Sequence, residues 1–257
     1  MAEGSSAITD AVLRPVRVGN AFEESVERLL EGIKLGVYAY GDRLPPEREL
    51  ASRLGVSRVT IREALRELTA AGFVETRRGR FGGTFVIYLP QPMRQGELAR
   101  TARGMGDLLT DALTFRRVVE AGAAEMAARA NLAREQRQSL TARLAEVSGA
   151  DLAGYRQADS RLHLAIAEAA GSASLTASVV DVRARLVDLL NAIPMLERNL
   201  AHSNAQHTDI IRAILAGDPP GARRAMEEHT EGTAALLRGF LGSAAAPAET
   251  ATGPPPE

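Results

Sequence analysis

What most constrains this chain is its second half, where Ala, Leu, Arg and Glu recur at helical spacing from 106 to 241 with few breakers. Apolar residues at i, i+3, i+4 and i+7 give one-sided helices, and such helices persist only when their apolar faces meet. The spacing predicts six helices, at 107–130, 134–148, 152–170, 172–192, 196–216 and 219–240. The breaks fall at Gly149, Gly171, Pro194 and Gly217-Asp218-Pro219-Pro220, all turn-forming residues. Short connections between long helices imply an antiparallel all-α bundle. Residues 20–88 read differently, with short helical patterns followed by a glycine-rich, β-prone end, and form a second domain. The linker is placed at 89–105, where Pro90 and Pro92 bar helix and stiffen the chain. The ends, 1–19 and 242–257, have nothing to bury and are expected as disordered tails.

Composition excludes several classes of function. Lys+Arg 31 against Asp+Glu 32 gives a net charge of −1, so any DNA contact must come from a local patch. With 0 Cys there are no disulfides, thiolate metal sites, iron–sulfur clusters or cysteine nucleophiles, and a metal must use His and carboxylate. The longest charge-free stretch, 81–93, is broken by Gly and Pro and is shorter than the roughly 18 apolar residues of a membrane span. Residues 1–20 lack the apolar core of a signal peptide. These readings predict a soluble cytoplasmic protein with no membrane partner. Lys34 is the only lysine, an arginine bias of the kind a GC-rich genome produces.

In the first domain the pattern from 46 to 54 is helical, Gly55-Val56 turns the chain, and Ser57 is a good N-cap for a helix over 58–71. This is helix-turn-helix spacing. At about 100° per residue Ile61, Ala64, Leu65, Leu68 and Ala71 share the packed side, Val59, Arg62, Glu63 and Arg66 lie opposite, and Arg58 sits in the first turn. Two strand-like pieces, 73–76 and 84–87, are joined by Arg77-Arg78-Gly79-Arg80-Phe81-Gly82-Gly83. They read as a β-hairpin wing whose arginines suit phosphates and whose glycines allow close approach. From Gly41 to Val86 nine arginines face six acids, a local +3 in a chain of net −1. Periodicity alone leaves open a plain solvated helix face; the turn, the cap and the basic wing favour a DNA reader.

The run Gly41-Asp42-Arg43-Leu44-Pro45-Pro46-Glu47-Arg48-Glu49-Leu50-Ala51, followed by Gly55-Val56-Ser57-Arg58 and Ile61-Arg62-Glu63-Ala64-Leu65-Arg66-Glu67-Leu68, closely resembles the winged helix-turn-helix signature of the GntR family of bacterial transcription regulators. The resemblance implies double-stranded operator DNA as partner. It places the contacts at Arg48, Ser57, Arg58, Thr60 and Arg62, with Gly79 and Arg80 of the wing reaching the minor groove. An arginine fork can bond guanine O6 and N7 together, and Ser or Thr hydroxyls can take phosphates. For Arg48 the alternative is an ion pair with Glu47 or Glu49.

Of the four histidines, His207 projects to the centre of a face made by Ile210, Ile211 and Ile214, and His229 to one made by Ala222, Ala225, Met226 and Leu236. Asp159 precedes His163 by one turn, on an edge beside Leu162 and Ile166, whereas His202 projects away with Asp209. Three histidines and one carboxylate from three helices thus aim into the interior, where an unpaired carboxylate is costly. A lone buried His is more often a hydrogen-bonded core residue than a ligand. Three with an Asp make a set that suits Zn, Ni or Mn and leaves positions for water or an effector carboxylate. Arg116 projects among Leu109, Ala112, Leu113, Val119 and Ala123 while Arg117 points outward. A buried guanidinium needs an anion, either Glu120 one turn on or the carboxylate of an effector.

Asp159-xxx-His163, His207 and His229, with Arg116-xx-Val119-Glu120, look more loosely like the FCD effector-binding domain of the FadR subfamily within GntR. The resemblance implies that Asp159, His163, His207 and His229 hold a divalent metal, zinc first with nickel or manganese as alternatives, and that the ligand is a small organic acid. Leu162 stands where Phe usually precedes the second ligand, and Gly171-Ser172 where Gly-Asn is usual; both bear on pocket shape rather than on the metal set. The combined expectation is a mainly α, homodimeric, ligand-responsive repressor, reading a palindromic operator with an N-terminal winged helix-turn-helix and sensing with a C-terminal bundle. One alternative is a metal-free pocket for a larger ligand such as a fatty acyl-CoA. The other is a helical-bundle metalloenzyme, disfavoured because Glu-x-x-His pairs of the di-iron type, H-E-x-x-H, a P-loop and G-x-S-x-G are all missing.

Overall fold

The computed structural model describes residues 21–90, 100, 107–191 and 197–245. Most of the expected linker, and the expected tails apart from 242–245, lie outside the described residues.

Helix α1 (Ala21–Lys34) buries Leu29 and Ile33 and packs on α3 (Arg58–Ala70). Helix α2 (Glu47–Leu54) ends at Gly55, whose φ of 69° supplies the left-handed turn into α3. That turn is closed by Val56 N–H donating to Ala51 O at 3.0 Å. Ser57 caps α3 as the sequence requires, its Oγ accepting from Thr60 N–H at 3.0 Å. Ile61, Ala64, Leu65 and Leu68 are buried, but Ala71 is exposed, because the helix stops at Ala70 and the chain turns away at Gly72. Strands β1 (Val74–Arg77) and β2 (Gly83–Val86) pair antiparallel, Val74 opposite Val86 and Arg77 opposite Gly83. Residues 41–44 run along the edge of β2, with Leu44 N–H bonded to Thr84 O and Val86 N–H to Asp42 O.

The bundle contains α4 (Asp107–Arg129), α5 (Arg134–Gly149), α6 (Tyr155–Ala169), α7 (Ala173–Asn191), α8 (Glu197–Ala216) and α9 (Pro219–Ala245). The mainly helical fold with a two-strand wing is as the sequence predicts. The last helix continues to Ala245, past the position 240 at which its pattern fades. Helix α4 is central and packs on α6, α7, α8 and α9. Gly217, with φ 68°, ends α8, and the bonds Gly217 N–H to Ile214 O and Asp218 N–H to Ala213 O satisfy its last carbonyls. On α9 the buried leucine is Leu237 and not Leu236, which is 40% exposed. Leu237 lies eleven residues from Met226 and so within about 20° of it, whereas Leu236 lies about 80° away.

Two apolar clusters form the core. One lies in the far half of the bundle around Leu140, Val147, Leu162, Ile166, Ile210, Ile214 and Met226. The other runs without a break from Leu29, Ile33, Leu50, Ile61 and Leu68 of the N-terminal domain into Val180, Leu186 and Leu190 of α7. Each such side chain contributes roughly 1.5–3 kcal/mol of burial, so the N-terminal domain is joined to the bundle by core as well as by chain.

Candidate metal centre and nucleic-acid interface

On α6, Asp159 and His163 stand one turn apart on the interior face, and α8 and α9 carry His207 and His229 to the same point. The four side chains are buried and present donor atoms that all lie within 4.8 Å of one another. The three imidazole rings have centroids 4.5, 5.1 and 5.5 Å apart. An ion holding O and N ligands at about 2.1 Å separates its donors by at most roughly 4.2 Å; the cluster is a slightly expanded version of such a shell. His202, as expected, is exposed.

The surrounding groups tie down the far side of three of these side chains. Asp159 Oδ2 accepts from Arg183 Nη2 on α7 at 2.6 Å, which leaves Oδ1 facing the rings, 3.3 Å from His207 Nε2 and 3.8 Å from His163 Nε2. Glu120 on α4 places Oε2 2.9 Å from His163 Nδ1, at ion-pair distance but off the line of a good hydrogen bond. Gln206 Oε1 lies 3.1 Å from His229 Nδ1. A partner at Nδ1 selects the tautomer that keeps the Nε2 lone pair for a cation.

Both ring nitrogens of His163 and of His207 are buried without a hydrogen bond among the described residues. Each unsatisfied buried polar group costs on the order of 1–3 kcal/mol, and a coordinated cation would offset that cost through the lone pairs. One carboxylate oxygen and three imidazole nitrogens are also the donor set of Zn, Ni or Mn. The residues therefore fit a divalent ion.

Charge balance is internal. Glu120 Oε1 accepts from Arg116 Nε at 3.2 Å and from Arg183 Nη1 at 3.0 Å. Burial alone would raise both carboxyls. The guanidiniums of Arg116 and Arg183 with His163 hold Glu120 well below its usual range, and Arg183 with His163 and His207 does the same for Asp159. Burial pushes His163 and His229 down, His229 well down with the help of its two neighbouring imidazoles. Tyr155, bonded to Asn204 Oδ1 at 3.2 Å, is pushed up to about 12 by burial and then by the Asp159 charge.

Arg116 is buried while Arg117 is exposed, as the periodicity predicts. Its anion is Glu120, the internal partner of the two weighed from the sequence, and its Nη1 stays buried without an acceptor. Arg183 and Gln206 were missed. Arg183 carried a signal, since it sits among Val179, Val180, Leu186 and Val187, the same criterion that singles out Arg116. Gln206 beside His207 carried none.

In the N-terminal domain Arg48, Ser57, Arg58, Arg62, Gly79 and Arg80 are exposed on α2, α3 and the wing, with Thr60 half-buried. Glu47 pairs with Arg62 at 2.9 Å and Glu49 with Arg53 at 2.7 Å, so neither acid is taken by Arg48. In the wing Arg77 is held by Glu75 and stacks on Phe85 at 4.3 Å. Gly79, with φ 102°, turns the tip, where Phe81 is 83% exposed beside Arg80.

Residues 23–86 match the family described as bacterial regulatory proteins, gntR family, and residues 111–232 match the FCD domain. RmpR of Mycobacterium gastri, named as an HTH-type transcriptional regulator, is 33% identical over 210 residues, 79% of this chain and 75% of its own length. The protein of Escherichia coli K12 named for regulation of the L-lactate dehydrogenase operon is 31% identical over 237 residues, 85% of each chain. The chain belongs to the GntR family. It is a transcription regulator of that family with an FCD effector-binding domain, and its domains and relatives are those of regulators, not of enzymes. Among solved structures, Escherichia coli McbR/YncC shares the fold at TM-score 0.52 and 19% identity, over 87% of this chain and 99% of that one. No described helix of this GntR-family chain is long and apolar enough to cross a membrane.

Proposed function

We propose that this GntR-family regulator is a homodimeric repressor of the FadR subfamily that acts in the cytoplasm, reads a palindromic operator and senses a small organic acid at a divalent metal. The observation that carries this reading is the convergence of Asp159, His163, His207 and His229 with the far sides of three of them tied. Zinc suits the set first, nickel and manganese next. When bound, the ion supplies a Lewis-acid position for an anion's oxygen. Arg116, whose Nη1 lacks an acceptor, is the clamp for the effector carboxylate. The L-lactate dehydrogenase operon named in one relative fits a ligand of this size and charge.

At the other end Arg48, Ser57, Arg58, Thr60 and Arg62 address the major groove, and Gly79 and Arg80 the minor groove. Arg62 exchanges Glu47 for DNA, so its contact is made only when an internal partner is given up. An effector changes operator affinity only by binding the DNA-competent and incompetent arrangements unequally.

The deciding experiment is metal content of chelator-free protein beside His207→Ala, followed by calorimetric titration of metal-loaded protein with L-lactate. Stoichiometric metal that is lost in the variant, and lactate heat that requires the metal, are the expected results. Metal-free protein even after incubation with zinc, nickel or manganese overturns the metal reading and leaves the histidines as packing residues.

A further inference from the structure

Helix α6 has two working flanks. Asp159 and His163 face the metal cluster, and Gln157 and Arg161, each displaced by two residues and so by about 200°, face the N-terminal reading head. Gln157 Nε2 donates to Ile33 O at 3.0 Å in a buried contact, and Arg161 Nη1 donates to Gly36 O at 3.2 Å. Arg161 is itself braced by Glu146 of α5 at 2.9 Å through Nε. Gly36, the turn after α1, has φ 73°, and a Cβ there would lie 2.6 Å from Arg161 Nη1 and 2.8 Å from Gln157 Cβ. The turn is pressed onto α6 so closely that only glycine fits.

Helix α7 repeats the arrangement. Arg183 grips Asp159 and Glu120 at the cluster, and five residues along the same helix Asp188 takes Lys34, the chain's only lysine, with both oxygens at 2.8 and 2.9 Å. Of the five helices that carry site groups, α6 and α7 thus also hold the head.

Resting on the reading of the cluster as the sensor, we propose that α6 and α7 clamp the reading head, and that Gln157 and Arg161 are the positioning residues through which the state of the cluster reaches the DNA-binding surface. Helices are stiff compared with the side chains they carry, so any rearrangement that moves the α6 backbone at Asp159 or His163 also moves the donors to Ile33 and Gly36. The head follows because both bonds end on its main chain.

The test is a double-mutant cycle on the full chain with wild type, His207→Ala, Arg161→Ala and the double variant. The probe is a duplex selected by the wild-type protein from a random-sequence pool. His207→Ala is expected to shift duplex affinity by roughly fivefold or more in the wild-type background, the lower range of allosteric coupling, and by less than about twofold in the Arg161→Ala background. Arg161→Lys, which retains a donor for Gly36 O, restores the response, and unchanged metal content in Arg161→Ala shows that the bundle is folded. An equal shift in both backgrounds, or none in either, overturns the clamp. A wild type without metal sinks the metal centre but leaves the cycle to score the clamp, whereas a wild type that selects no duplex sinks both.

Discussion

Arg116, Glu120, Asp159, His163, Arg183, His207 and His229 are all buried together, so a change at one is felt by the others. Burial lowers His163 and His229, whereas the same residues in the unfolded chain take up a proton near 6.5. The unfolded state therefore binds more protons below that pH, and folded metal-free protein loses stability as pH falls through about 6.5, by up to roughly 1.4 kcal/mol per pH unit for each proton withheld. Asp159 and Glu120 shift the other way, and their contribution begins to be lost as the unfolded carboxylates take up protons in the ordinary range and is gone only below the lowered native values. Urea unfolding of chelator-treated protein from pH 7.5 to 5.5 measures the first window, and a flat profile there would mean that the imidazoles take up protons as readily in the fold as in the unfolded chain. Glu120→Gln leaves Arg116 without its carboxylate and Arg183 with Asp159 alone, and is expected to cost about 3–5 kcal/mol in the same assay. At this scale the four clustered side chains were legible, because an i, i+4 pair and a histidine at the centre of an apolar face are local patterns. Their partners are a different matter, since the bond from Arg183 to Asp159 spans 24 residues and depends on which helices become neighbours.

The same division holds among elements. Helix limits in the bundle follow Gly149, Gly171 and the 217–220 turn, all readable as chain chemistry. The choice between Leu236, in phase with His229, and Leu237, in phase with Met226, was not, because the buried centre of a long helix is set by what it packs on. Ser57 is a purely local device, and Ser57→Ala is expected to cost about 1 kcal/mol without altering metal content, read from thermal unfolding. Gly36 and Gly41 look alike in sequence and have φ of 73° and 85°. A Cβ at Gly41 meets nothing within 4 Å, whereas one at Gly36 collides with Gln157 Cβ and Arg161. Gly41→Ala should thus show only the left-handed penalty of about 1–2 kcal/mol, and Gly36→Ala that penalty plus displacement of the head from α6. Equal losses of stability in the two variants would mean that the turn is free to back away.

For the molecule as a whole, the sequence carried the reading head and the sensor but not their junction, because Gln157 and Ile33 are 124 positions apart and a polar side chain meeting a main-chain carbonyl leaves no periodic trace. The two-domain division is real in composition, yet one apolar cluster crosses it. A docked head has consequences for DNA. One chain offers a single α3, enough for one major-groove half-site, and a dimer with heads held by its bundles fixes the distance between two. Arg58→Ala is expected to lose about 1–3 kcal/mol of specific binding, and an exposed arginine that touches phosphate also contributes about one unit to the salt slope. Spacing tests the assembly itself. Inserting about 5 bp between half-sites turns the second by half a helical turn onto the far face of the duplex, where a clamped head cannot follow without breaking its bonds at Ile33 and Gly36. Affinity for the lengthened duplex is expected to fall to that of an isolated half-site, measured by fluorescence anisotropy at fixed salt, with Arg161→Ala losing less than wild type because its head is held by fewer bonds. Equal affinity of the wild-type chain for both spacings would mean that its heads read DNA independently.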